Sequence, residues 1–152
     1  MVNRNDIAII VKHTIKGIDM YSVDAVSLLM KTGVVESGFR RIYQAPTGPG
    51  RSFWQIEPDT SLDNYTNFIK FRPVLYEKIK GVCHIFDIGS ANHSELLEIN
   101  LAFAICMARI KYYRVPKPLP KFDDLEGQAE YWLKYYNAGG KGTIQKFINS
   151  NL

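Results

Sequence analysis

The chain of 152 residues has only two cysteines, Cys83 and Cys106, and neither sits in a CxxC pair or a Cys/His ligand spacing. A disulfide framework and a cysteine-based metal site are therefore not expected. Both thiols lie in apolar runs, GVCHIF and FAICMAR, and read as buried free cysteines of a chain made in a reducing compartment. No motif implies a cofactor, and a lone histidine such as His13 has no ligand partner at useful spacing. No run reaches the ~18 apolar residues that a membrane span requires. The segment IAIIV at 7–11 is too short for a secretion signal, and Lys12, His13 and Lys16 interrupt the apolar residues after it, so none is expected. There is no internal repeat, no low-complexity region and no long Lys/Arg run.

What is present is an ordinary globular composition with many aromatics: nine Tyr, eight Phe and two Trp. A chain of this length forms one domain, here 1–152, and hides roughly 70% of its unfolded surface. The net charge of +4 favours anionic partners such as nucleic acid, a membrane surface or bacterial wall polymers. Nucleic acid is the weakest of these, because no recognition-helix pattern or basic aromatic patch accompanies the charge.

Apolar spacing predicts helices throughout. Residues 5–16 form the first, with Asn5 or Asp6 as cap and Ile7, Ile10, Val11 and Ile15 on one face. Ser22 caps the second, which Gly33 closes, so that Glu36 falls at a helix end. Residues 44–52, QAPTGPGRS, are a loop, since two prolines and two glycines stand so close together. Pro58 opens the next helix, Pro73 restarts it and Gly81 stops it. Residues 92–113 read as one central helix, apolar nearly all round. A Pro-rich connector leads to an amphipathic helix, the loop NAGGKG and a short helix capped by Thr143. The fold class is mainly α, with a short loop or minor β region around 40–56.

Glu36 stands next to Val34, Val35 and Phe39. Apolar neighbours desolvate a carboxyl and raise its pKa, which suits it to donate a proton to a leaving group, as glycoside hydrolysis requires. Its company is specific. Glu36-Ser37-Gly38-Phe39 is followed, nineteen positions after Glu36, by Gln55-Ile56, then Pro58 and Thr60. This pattern resembles the lysozyme-like lytic transglycosylase domain, the family of soluble lytic transglycosylases and goose-type lysozyme relatives. Its motifs run E-S-x-F, then G-x-x-G-L-M-Q-I-x-P-x-T, then an Asn-led helix with a Gly and a Tyr-Leu. Here Pro49 and Ser52 stand at the two glycine positions and Phe53-Trp54 at Leu-Met. Asn100 heads the third segment, with Ala104 for the glycine and Met107 for the tyrosine; Tyr112 or Tyr113 is the nearest substitute aromatic. The motif-bearing core covers about 22–113, and residues 121–152 form a helical tail outside it.

The resemblance implies a lysozyme-like helical fold and cleavage of the bond between N-acetylmuramic acid and N-acetylglucosamine in peptidoglycan. Glu36 would be the catalytic acid and then base. Ser37 would fix it or contact the sugar, Gln55 would bind the N-acetyl group or orient the acid, and Asn100 would belong to the same site. Trp54 is a candidate sugar platform, although its place at the family's Met position favours a core role, and Arg51 is either a partner for a peptide-stem carboxylate or simply solvated. Glu57, Asp59 and Asp63 are the candidates for a second carboxylate, were water rather than the sugar's C6 hydroxyl the acceptor. The tail, AEYWLKYYNAGGKGT, looks like those of small phage proteins. A phage enzyme made in the host cytoplasm would reach the wall through a holin or as part of a virion, alongside other virion proteins. The alternative is a non-catalytic virion protein that keeps the fold.

Overall fold

The computed structural model describes residues 2–152. Its class is mainly α: eight helices and a single isolated antiparallel bridge, Arg51 to Ile56, among the described residues. The minor β region expected around 40–56 reduces to that bridge.

Helix α1 (Arg4–Gly17) starts slightly earlier than expected, because Asn3 is the cap and its side chain accepts from the Asn5 N–H. It buries Ile7, Val11, Thr14 and Ile15, while Ile10 faces outward. Helix α2 (Val23–Ser37) is capped by Ser22 as expected, but it runs through Gly33 and ends at Gly38, which takes a left-handed conformation. Gly33 is needed for a different reason. The Phe39 ring lies against it, and a Cβ there would fall 2.3 Å from Phe39 Cζ. The ring thus closes back over the helix whose last turn carries Glu36.

A loop leads to α3 (Pro58–Asn67), which Pro58 opens at its first turn. A 3₁₀ turn (Ile69–Phe71) connects to α4 (Pro73–Cys83), which passes Gly81 and ends at left-handed His84. The expected long helix over 92–113 is two helices, α5 (His93–Ile99) and α6 (Leu101–Tyr113). Asn100 breaks it: its backbone is extended, its Oδ1 accepts from the Phe103 N–H, and its Nδ2 donates to the Cys83 carbonyl. Helix α6 is the centre of the molecule, buried without a break from Phe103 to Ile110 and packed on α1 to α5. Cys83 and Cys106 are free and buried, as read from their apolar surroundings, with sulfurs 3.9 Å apart.

The C-terminal segment is not peripheral. Helix α7 (Leu125–Tyr131) continues into a π-helical turn (Trp132–Tyr136), and α8 (Ile144–Ser150) packs against α2 and α7. Lys31 of α2 donates to the Phe122 carbonyl and to Gln128, and Asp24 accepts from the Phe122 N–H. Trp132 and Phe147 belong to the same buried cluster as Ile7 and Phe103. Residues expected to lie outside the motif-bearing core are thus part of one core with it. No helix is long and apolar enough to cross a membrane among the described residues.

Two glycine replacements test this packing. Alanine inside a helix normally gains about 0.5–1 kcal/mol over glycine. Gly81→Ala, whose added Cβ meets nothing within 4 Å, is expected to show that gain. Gly33→Ala is expected to lose about 1–3 kcal/mol instead, because buried Phe39 has no room to yield. Denaturant titration of both variants decides it; a gain at both positions would mean that Phe39 does not seal α2.

Candidate active-site cleft

The end of α2, the loop after it and the C-terminal segment enclose an open cleft of about 820 Å³. Adjacent helical residues point about 100° apart, so Glu36 turns to this cleft while Ser37 turns inward. Ser37 is consumed there: its Oγ donates to the Phe53 carbonyl at 2.7 Å and accepts from the Phe39 N–H at 3.1 Å. It ties the loop to the helix and does not line the cleft, contrary to the sugar-contact expectation.

Glu36 is half-buried, and Trp132 Nε1 donates to its Oε1 at 3.0 Å. Burial raises its pKa above the usual carboxylate value; the donors Trp132 and Asn137 and the charges of Lys111 and Lys146 pull it down and offset this only in part. The C-terminal end of a helix, where carbonyl dipoles converge, also disfavours an anion. The carboxyl therefore keeps its proton to higher pH than an exposed glutamate would.

The π-helical turn sets this geometry. The Asn137 N–H reaches back five residues to the Trp132 carbonyl, at 2.8 Å. That wider turn brings Trp132, Tyr136 and Asn137 to one side of Glu36. Such turns recur at functional sites because they re-aim side chains without ending the helix. The chain then passes tightly over the indole: a Cβ at Gly142 would lie 2.4 Å from Trp132 Cη2. Beneath the cleft, Tyr136 stacks on Tyr112 at 5.0 Å, and its hydroxyl donates to the Trp54 carbonyl at 2.6 Å. Lys111 Nζ sits 4.1 Å from the Tyr136 ring centre and donates to the Tyr136 carbonyl. Burial lowers the Lys111 pKa, against the pull of Glu36 and Glu57.

Of six expected site residues, Glu36 and Gln55 line the cleft. Gln55 also holds the loop, its Nε2 donating to the Ile42 and Ser52 carbonyls, while its buried Oε1 has no partner among the described residues. Ser37, Trp54, Arg51 and Asn100 fall outside. Trp54 is no sugar platform: its ring is fully buried and its Nε1 donates to the Leu29 carbonyl. Arg51 is spent on Glu98 of α5, at 3.1 Å, and on the Gly48 and Gly50 carbonyls of its own loop. Asn100 is the cap that separates α5 from α6. Among the three further carboxylates, Glu57 lines the cleft, Asp59 does not, and Asp63 pairs with Arg114.

Departures from the motif also find a place. Ser52 has φ 68°, in the left-handed region that favours glycine, so the backbone there is the one a glycine would supply. Phe39 and Gln55 are left-handed too, at φ 54° and 51°. Strained backbone of this kind collects at functional sites, where surrounding structure over-determines it. Ala104 and Met107 are buried in α6 and do not line the cleft. The aromatic residue of the cleft is neither Tyr112, which is buried against Thr32, nor Tyr113, which packs on Phe68 elsewhere; it is Tyr136. Sequence reasoning missed Lys111, Trp132, Tyr136, Asn137 and Lys146. The signal available was the aromatic helix running straight into NAGGKG.

No protein-family model, curated protein or solved structure matches this chain.

The raised pKa of Glu36 has a stability consequence. The folded state holds the proton more tightly than the unfolded chain. Its contribution is therefore present below the ordinary carboxylate pKa and is lost as pH rises through the folded one. Glu36→Gln removes the buried charge and leaves an acceptor for Trp132. It is expected to melt above wild type at neutral pH, with the difference vanishing below about pH 4, the ordinary carboxylate range. Thermal melts across that range measure it; a variant less stable than wild type at neutral pH would contradict the account.

Proposed function

We propose that this protein is a lysozyme-like, peptidoglycan-cleaving lytic transglycosylase, with Glu36 as its acid and base. One observation carries the reading: a half-buried carboxyl with a raised pKa opens onto a cleft large enough for a glycan, beside Gln55. The motif spacing that relates Glu36 to Gln55 supports it independently.

In this mechanism the Glu36 carboxyl protonates the glycosidic oxygen between N-acetylmuramic acid and N-acetylglucosamine, and the bond from that oxygen to C1 breaks. The resulting carboxylate takes the proton of the C6 hydroxyl, whose oxygen bonds to C1. A 1,6-anhydro sugar leaves, and Glu36 is protonated again for the next cycle. Trp132 holds the carboxyl in place through both steps. No second carboxylate is needed. A hydrolase would use water as the acceptor instead, and Glu57 is the cleft carboxylate that would help to activate it. The phage origin suggested by the C-terminal segment would make the enzyme either a holin-released endolysin or a virion component.

Incubation with purified sacculi and mass spectrometry of the soluble muropeptides tests this reading. Anhydro-muropeptides are expected, with Glu36→Gln at least about 100-fold slower and Glu57→Gln still active. Reducing-end products that require Glu57 would make the protein a muramidase. Intact glycan, with Glu36→Gln indistinguishable from wild type, would leave the non-catalytic virion protein as the better reading.

A further inference from the structure

The cleft is lined by four cations, Arg41, Lys111, Lys141 and Lys146, against two carboxylates, Glu36 and Glu57. None of the four forms an ion pair among the described residues, whose ion pairs all involve other cations. Arg41 donates to the Glu36 backbone carbonyl and Lys111 to that of Tyr136, which orients them without neutralising them. Arg41, Lys141 and Lys146 are exposed, whereas Lys111 is deeper. Protonation of Glu36, the state its acid role demands, leaves four positive groups against one negative. A concentration of one sign in a cleft raises the local concentration of oppositely charged ligand. A neutral sugar polymer gives these groups nothing to pair with.

We infer that the exposed wall of Arg41, Lys141 and Lys146 binds the carboxylates of the peptide branches on the glycan, making the cleft selective for peptide-bearing strands. The inference rests on the glycosidase reading for its substrate class. It also reassigns the peptide-carboxylate role expected of Arg51, whose guanidinium is already paired with Glu98. Two of the three groups come from the C-terminal segment, so the segment that positions Glu36 also supplies the selectivity.

The test is equilibrium binding by Glu36→Gln protein, which separates binding from turnover. Three soluble ligands are compared: uncrosslinked peptidoglycan strands with their peptides, the same strands with the peptide carboxylates converted to neutral amides, and neutral N-acetylglucosamine oligomers. Strands with free peptide carboxylates are expected to bind about tenfold tighter than the amidated ones, the scale of two or three partly exposed charge pairs. Adding Lys141→Gln and Lys146→Gln is expected to bring that ratio below about threefold. Equal affinity for all three ligands would overturn the inference. So would a double lysine variant that weakens on neutral oligomers as much as on peptide-bearing strands. Tighter binding to strands carrying a phosphodiester wall polymer than to peptide-bearing ones would assign the cations to phosphate and also overturn it. Product analysis with wild-type protein on the same strands reports separately on the glycosidase reading. Cleavage without this ranking sinks only the selectivity, and the ranking without cleavage sinks only the turnover.

Discussion

The hydrogen bond from the Trp132 indole to the Glu36 carboxyl joins the N-terminal and C-terminal parts of the fold at the edge of the cleft. Everything around it serves to hold the two partners still. Gly33 lets Phe39 seal α2, so the last turn carrying Glu36 has a fixed exit. The π-helical turn aims Trp132, and Phe147 and the chain at Gly142 pack against its indole. A hydrogen bond to an ionised group is worth roughly twice a neutral one. It still does not outweigh the burial of this carboxyl, whose pKa remains raised. The donor thus fixes the position of Glu36 without committing it to the charged form.

The same segment supplies two of the four cations that line the cleft. Lys111 lies under Tyr136, and Lys141 and Lys146 belong to the Gly-rich loop and the helix after it. The charges of Lys111 and Lys146 limit how far burial can raise the Glu36 pKa. The stretch of chain after the central helix thus both positions Glu36 and, with Lys111 of that helix, sets the charge around it.

The legible part of the sequence was the part governed by local rules. Ser22, Pro58, Pro73, Asn92 and Thr143 start helices as capping chemistry demands. Glu36 at a helix end beside apolar residues was enough to foresee a desolvated carboxyl. Glycine misled twice, at Gly33 and Gly81, because a glycine can serve close packing or simply be tolerated within a helix. Asn100 misled because the apolar pattern continues across it and hides a helix break whose cause is a distant carbonyl, that of Cys83. The core role favoured for Trp54 by its place at the motif's Met position is the one observed, whereas the Arg51 pairing with Glu98 is a contact 47 positions away that local reading does not show. The contribution of Trp132, Tyr136 and Asn137 was beyond local reading. Trp132 pairs with a residue 96 positions away, and the π-helical turn has no compositional signature.

The central claim is that Glu36 is held, by burial and by Trp132 together, as a carboxyl that stays protonated beyond the ordinary range. Titration of its side-chain carboxyl by carbon-13 NMR, in wild type and in Trp132→Phe, measures this directly. The account predicts a midpoint above the usual glutamate value in wild type and a further upward shift in the variant, since the lost donor stabilised the anion. A midpoint at or below the usual value, or no response to Trp132→Phe in a protein that remains folded, would contradict it.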